Sequence, residues 1–226
     1  MSWTAHHRKA LTFSYDDGNE QDVRLIALFD RYGMKATFNL NSGLSGDAGA
    51  WQYKGAWVRR LDLREAAGVY AGHEVAVHGA QHLALPELDD AALHRELADD
   101  VTALTALFGR APVGMAYAYG AYDDRAVAEA GRLGLRYARG VDASHAFGVQ
   151  TDLMRFRPTC HHNDDALFDL AAQFQDMTPD VPQIFYVWGH SYELDGDGTW
   201  DRLERLLDLL AGRDDIFYGT NAEVLL

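Results

Sequence analysis

Apolar residues recur along this chain in two alternating rhythms. Short runs in which nearly every position is apolar or small read as buried strands. Each is followed by a stretch with apolar residues three or four apart, which reads as a helix. Residues 9–14 give the first strand and 21–32 its helix, where Val23, Ile26, Ala27 and Phe29 keep helical spacing and Gly33 supplies the stop. Further strands are predicted at 35–40, 74–78, 114–119, 135–139 and 183–188, with another at 153–157 ended by Pro158 and a last one at 216–218. Helices are predicted over 63–71, 88–108, 123–133, 163–176 and 199–210, the longest opening on Asp89-Asp90 and closing at Gly109. Residues 41–54 read as a long loop containing Gly, Ser, Trp51 and Tyr53.

Strands alternating with helices imply a parallel sheet with helices outside. About seven such units predict an α/β fold, a distorted parallel (β/α) barrel, as a single domain over residues 1–226. There is no internal repeat and no low-complexity segment.

Composition narrows the function classes. A formal charge of −14 argues against a nucleic-acid partner, whose phosphates would be repelled. One cysteine, Cys160, excludes an internal disulfide. No apolar run reaches the roughly 20 residues that cross a bilayer. The stretch Met1 to Lys9 lacks the apolar core of an export signal, so a cytoplasmic location is the expectation.

The candidate chemistry is positional. Asp16 and Asp17 follow the first strand, His78 ends the third, Tyr119 ends the fourth and His190 follows the run Gln183 to Trp188. In a parallel barrel these carboxyl ends gather on one face, where barrel enzymes place catalysis. His78 and His82 are four residues apart, which on a helical turn sets two imidazoles side by side. Asp17 would complete three ligands and leave room for water and substrate, a catalytic rather than structural site. Asp16 then stays free as a base, which relieves the repulsion of two adjacent carboxylates. His190, after Gly189, is placed as a proton donor. His161 and His162, near the pocket mouth, are read as helix-entry residues. Trp51, Tyr53, Trp57 and Trp188 are candidates for stacking on a sugar, although loop aromatics more often pack.

These residues carry a resemblance. Thr12 to Gly18, then Gly72 to His78 with His82, resemble the first two motifs of the polysaccharide deacetylase family, also called the NodB homology domain or carbohydrate esterase family four. Tyr119 to Tyr122 resembles the third motif and Trp188-Gly189-His190 the last. The resemblance implies one divalent metal ion, usually zinc, held by Asp17, His78 and His82. It also implies Asp16 as base, His190 as acid and the Tyr119 backbone N–H as an oxyanion donor. The activity implied is removal of N-acetyl groups from a carbohydrate substrate.

Two departures stand out. Ala116 occupies the place of an arginine in the third motif, and the fourth motif has no match near Arg139 to Asp142. In the strand 135–139, alternation puts Leu135, Tyr137 and Arg139 on one face. Were the first two inward, Arg139 would emerge beside the base and replace the absent guanidinium, with Arg157 as the competing candidate. Rival readings are a non-haem iron oxygenase with the same three ligands, a carbohydrate-binding protein on a decayed barrel, and a deacylase of non-sugar amides.

Overall fold

The computed structural model describes residues 1–47 and 49–226. Strand β1 (Lys9–Asp16) is buried along all eight residues, and everything else is arranged about it. It is flanked by β2 (Ala36–Leu40) on one side and β9 (Gln183–His190) on the other. From β2 the sheet continues through β5 (Glu74–Val77), β6 (Gly114–Ala116) and β7 (Tyr137–Arg139), and from β9 to β8 (Cys160–His161). Every pairing along this seven-strand path is parallel. A short β10 (Ile216–Tyr218) pairs with the first half of β1.

The sheet curls until its two edges meet one segment. Phe156 bridges Arg139 of β7, its N–H bonding to Ala138 and its carbonyl accepting from Gly140. A few residues later Thr159 and β8 are bonded to β9. The result is the expected distorted barrel. Its outer layer comprises α1 (Asp22–Arg31), the short α2 (Leu63–Ala66), α3 (Asp90–Phe108), α4 (Asp124–Arg132), α5 (Leu167–Asp176), α6 (Ser191–Gly196), α7 (Trp200–Leu210) and α8 (Asn221–Leu225). None of these helices is long and apolar enough to cross a membrane.

Although β1 is buried throughout, its two faces differ. Leu11, Phe13 and Tyr15 join the main apolar cluster beneath the helices, with Phe29, Phe38 and Leu25. The alternate residues Thr12, Ser14 and Asp16 meet polar groups inside the barrel, as the two-residue period of a strand requires. Thr12 donates to Asn221, Asn39 donates to Ser14, and Asn221 donates to Tyr186. At the amino-terminal end Glu74 accepts from Thr37, Tyr137 and the Ala222 N–H, so α8 plugs the barrel floor. This chain of partners makes such an interior tolerable, because each unpaired group would cost about 1–3 kcal/mol; Asn39 Oδ1, Arg139 Nε and Trp188 Nε1 are the atoms in it left without one.

Several expectations need correction. Residues 41–54 are not a plain loop, since β3 (Gly46–Tyr53) and β4 (Ala56–Arg60) form an antiparallel hairpin. The stretch 153–157 supplies only a 3-10 turn and the single bridge at Phe156, and the strand proper lies at β8. Leu135 precedes β7 rather than belonging to it. Helix α6 was not anticipated, being too short to show a period.

One buried contact fastens α1 to α6. The Asp22 carboxylate accepts from Ser191 Oγ at 2.6 Å and from Tyr70 Oη at 2.9 Å. Burial pushes its pKa up to about 7 against those two hydrogen bonds, with Asp17 and Asp16 adding repulsion. A carboxyl raised in the folded state stabilises below its unfolded value of about 4 and loses that contribution as pH rises through about 7. Asp22→Asn, whose neighbouring hydroxyls can turn to accept, should therefore melt increasingly above wild type as pH climbs through this window. Melting-temperature differences that stay flat with pH would refute the account.

Candidate active site

The candidate side chains stand at or just beyond the carboxyl ends of strands, Asp16, Arg139 and His190 being the last residues of theirs, and local bonds explain their aim. After β5, the His78 N–H donates to the Leu40 carbonyl and to Asp100 Oδ2, both at 3.1 Å. Its Nδ1 lies 2.8 Å from the Ala116 carbonyl. A carbonyl can only accept, so the proton sits on Nδ1 and the Nε2 lone pair is directed the other way. The chain then turns rather than coiling. Gly79 and His82 both have positive φ, 83° and 56°, so the four-residue spacing belongs to a turn and not to a helix. Two carboxylates one helical turn apart on α3 hold this turn. Asp100 accepts from Ser42 and His78, and Glu96 accepts from the N–H groups of Gln81 and Leu83 on either side of His82.

Asp17 follows β1 with φ 80° and is fixed by its own N–H to Asn39. Its Oδ1 lies 3.4 Å from His82 Nε2 and 3.8 Å from His78 Nε2. Donors about 2.05 Å from a tetrahedral ion stand roughly 3.3 Å apart. The three donor atoms, all within 4.8 Å of one another, therefore fit one divalent cation with little adjustment. Burial and the neighbouring His78 bring the His82 pKa down to about 4, which keeps its ring neutral and able to ligate. Arg60, from the β3–β4 hairpin, donates to Asp17 Oδ1 at 2.8 Å and lies over the Trp51 ring.

Asp16 is separately engaged. Arg139 Nη2 donates to Oδ1 at 2.5 Å and Oδ2 at 2.6 Å, and Asn39 donates to Oδ1 at 2.8 Å. Burial alone would raise this carboxyl, but Arg139, His78 and His190 together hold it at about 2. Arg139 is fully buried, crosses the barrel interior and rests over Trp188 at 4.5 Å. The competing Arg157 is exposed and bonded to the Ala143 carbonyl, away from the site.

Asp16, Asp17, His78, His82, Tyr119, Trp188 and His190 line one cavity of about 780 Å³. Two of them differ from expectation. Tyr119 lies beyond β6 in a turn with φ 59°, its ring 69 % exposed and edge-on to His82. Its N–H has no partner among the described residues. Trp188 is 8 % exposed and supports Arg139, so it is not an open stacking face. Trp51 and Tyr192, packed edge to face at 5.2 Å, form the aromatic wall instead.

Sequence reasoning missed Arg60, Asn39, Glu96, Asp100 and Glu193. Glu193 Oε2 lies 3.4 Å from His190 Nδ1, and its place three residues after His190 was the available signal. The pKa of His190 is raised to about 9: burial alone would lower it, but the Glu193 hydrogen bond and the charges of Asp17, Glu193 and Asp16 prevail.

Known proteins resemble this chain at both levels. It is 29 % identical over 168 residues to a chitin deacetylase from Pestalotiopsis sp, covering 74 % of this chain and 48 % of that one. The chain thus spans about half the length of that curated relative. A putative polysaccharide deacetylase from Mycobacterium smegmatis superposes with a TM-score of 0.67 at 15 % identity, over 100 % of this chain and 91 % of the other. Puue allantoinase does so with 0.68 at 14 % identity, over 99 % and 91 %. These two share the fold. The sequence profile described as polysaccharide deacetylase matches residues 4–138, which carry β1 through β6 with Asp16, Asp17, His78 and His82, and by that match the chain belongs to the polysaccharide deacetylase family.

Proposed function

We propose that this protein is a metal-dependent hydrolase that removes N-acetyl groups from a carbohydrate. One observation carries the reading: three metal-type donors converge in a cavity that also presents a locked carboxylate, Asp16, and a charged imidazole, His190. A divalent cation on Asp17, His78 and His82, zinc by this donor set, would polarise an amide carbonyl and acidify a water. An iron oxygenase needs the same three donors but has no use for a separate base and acid.

The remaining work falls to the chain itself. Asp16 takes the proton of the attacking water, and Arg139 with Asn39 keeps its oxygens aimed and unprotonated until then. The Tyr119 N–H would donate to the developing oxyanion. His190 delivers its proton to the leaving nitrogen, which would otherwise depart as an unstable amide anion. Trp51 and Tyr192 offer the wall for a sugar ring.

Acetate release from N-acetylglucosamine oligomers, with and without zinc, tests the function directly; no release under either condition would sink it. The purified chain should bind one equivalent of zinc, and Asp17→Asn should lose it. Asp16→Asn and His190→Ala should keep zinc while turnover falls by about 10²–10⁴. Arg139→Met should also retain zinc and lose turnover severely. An active Arg139→Met variant would leave the aim of Asp16 to another residue.

A further inference from the structure

His190 is one of three imidazoles turned towards a single carboxylate oxygen. Glu193 Oε2 lies 3.0 Å from His161 Nε2, 3.1 Å from His162 Nε2 and 3.4 Å from His190 Nδ1, and it accepts the His190 backbone N–H at 3.2 Å. The far nitrogens of the first two rings settle their protonation. His161 Nδ1 accepts the Asn163 N–H at 3.1 Å, so its proton resides on Nε2. His162 is buried with Nδ1 3.1 Å from Tyr15 Oη, and burial brings its pKa down to about 4. It is therefore neutral, accepts from the tyrosine and also carries its proton on Nε2. Both rings thus bring neutral Nε2–H groups within 3.0 and 3.1 Å of Glu193 Oε2, close enough for charge–dipole attraction without an aligned hydrogen bond. The carboxylate's charge is left for His190.

The cluster is also held in place. Ser191, at the start of α6, is tied to Asp22, which fixes the first turn that carries Glu193. Gly189 has room for His162 because it lacks a Cβ; one built there would run into that ring.

We propose that Glu193 is the positioning residue of the proton donor: its carboxylate, 3.4 Å from Nδ1, is the charge partner that favours the doubly protonated His190 ring, while His161 and His162 pack against the same carboxylate oxygen. This rests on reading His190 as the acid. The groups facing His190 are Glu193, Asp17 and Asp16 as charges, with His161, Trp188 and Tyr192 as rings. A cation on Asp17 would cancel that residue's share, leaving Glu193 as the principal charge that keeps the imidazole protonated. His161, His190 and Glu193 also have the spacing of a metal cluster. The proton on His161 Nε2 removes the lone pair such a cluster would need.

The zinc-loaded protein and its Glu193→Gln variant, labelled with ¹⁵N in the imidazoles, decide the matter without a substrate, His190→Ala serving to assign the signals. At neutral pH His190 should carry two ring protons in the wild type and one in Glu193→Gln, with His161 and His162 neutral in both. Two protons on His190 in the variant would overturn the proposal. So would a second zinc equivalent that Glu193→Gln abolishes, since the cluster would then be a metal site. Turnover supplies a second reading. An N-acetylglucosamine oligomer needs its nitrogen protonated to leave, whereas the phenolate of p-nitrophenyl acetate does not. The ratio of amide to ester turnover should fall on the order of 10²-fold in Glu193→Gln; equal losses on both substrates would mark a merely structural role and refute the assignment. Absence of amide turnover in the wild type would instead count against the deacetylase reading, with the ring protons still reporting on Glu193.

Discussion

The pair between Asp16 and Arg139 is the constraint around which this barrel is organised. Both groups are buried, so neither charge has water to fall back on, and removing one partner of such a pair costs about 3–5 kcal/mol in general. The pair joins β1 to β7, four places apart in the sheet, and only a curled sheet brings them together across the interior. It also dictates its surroundings. Asn39 must donate to Asp16, the Gly140 carbonyl must accept from Arg139, and Trp188 must lie flat beneath the guanidinium. The polar column through the barrel follows from the same demand, since a charge pair above an apolar floor would have no relay of partners below it.

Helix α3 illustrates how the site reaches into the layer outside the barrel. Its buried face carries Leu93, Leu97 and Leu104, but also Glu96 and Asp100. Those two are spent on the backbone around His78 and His82. Burial pushes Asp100 up to about 7 against hydrogen bonds from Ser42 and His78. The helix therefore gives up part of its apolar stripe to hold a loop that has no regular structure of its own.

That exchange explains what could and could not be read from the sequence. The strands β1 and β9 and the helices α1 and α3 were legible because their apolar runs or spacings are unbroken. Asp16, Asp17, His78 and His190 were legible because strand ends in a parallel barrel share one face. Arg139 followed from its alternation with Tyr137, although Leu135, used in the same argument, lies outside the strand. The β3–β4 hairpin was hidden by Gly46 and Gly49, which interrupt alternation where the chain bends. His82 was misassigned to a helical turn because a four-residue spacing suits that geometry as well as the left-handed turn it adopts. Arg60, Glu96 and Glu193 looked like ordinary surface charges, and only tertiary contact gives them a role.

The seam at Phe156 has a consequence of its own. Around β1 the strands are paired over four to eight positions, but here the closure narrows to a single residue between β7 and the segment leading to β8. Arg139 stands on one lip of that gap, and His161 and His162 lie just past the other. A local opening would therefore loosen Arg139, the partner of Asp16, and the histidines beside Glu193 together, while leaving His78 and His82 anchored to α3. The seam therefore couples the surroundings of Asp16 and Glu193, while the metal-type donors His78 and His82 are held from a separate element, α3.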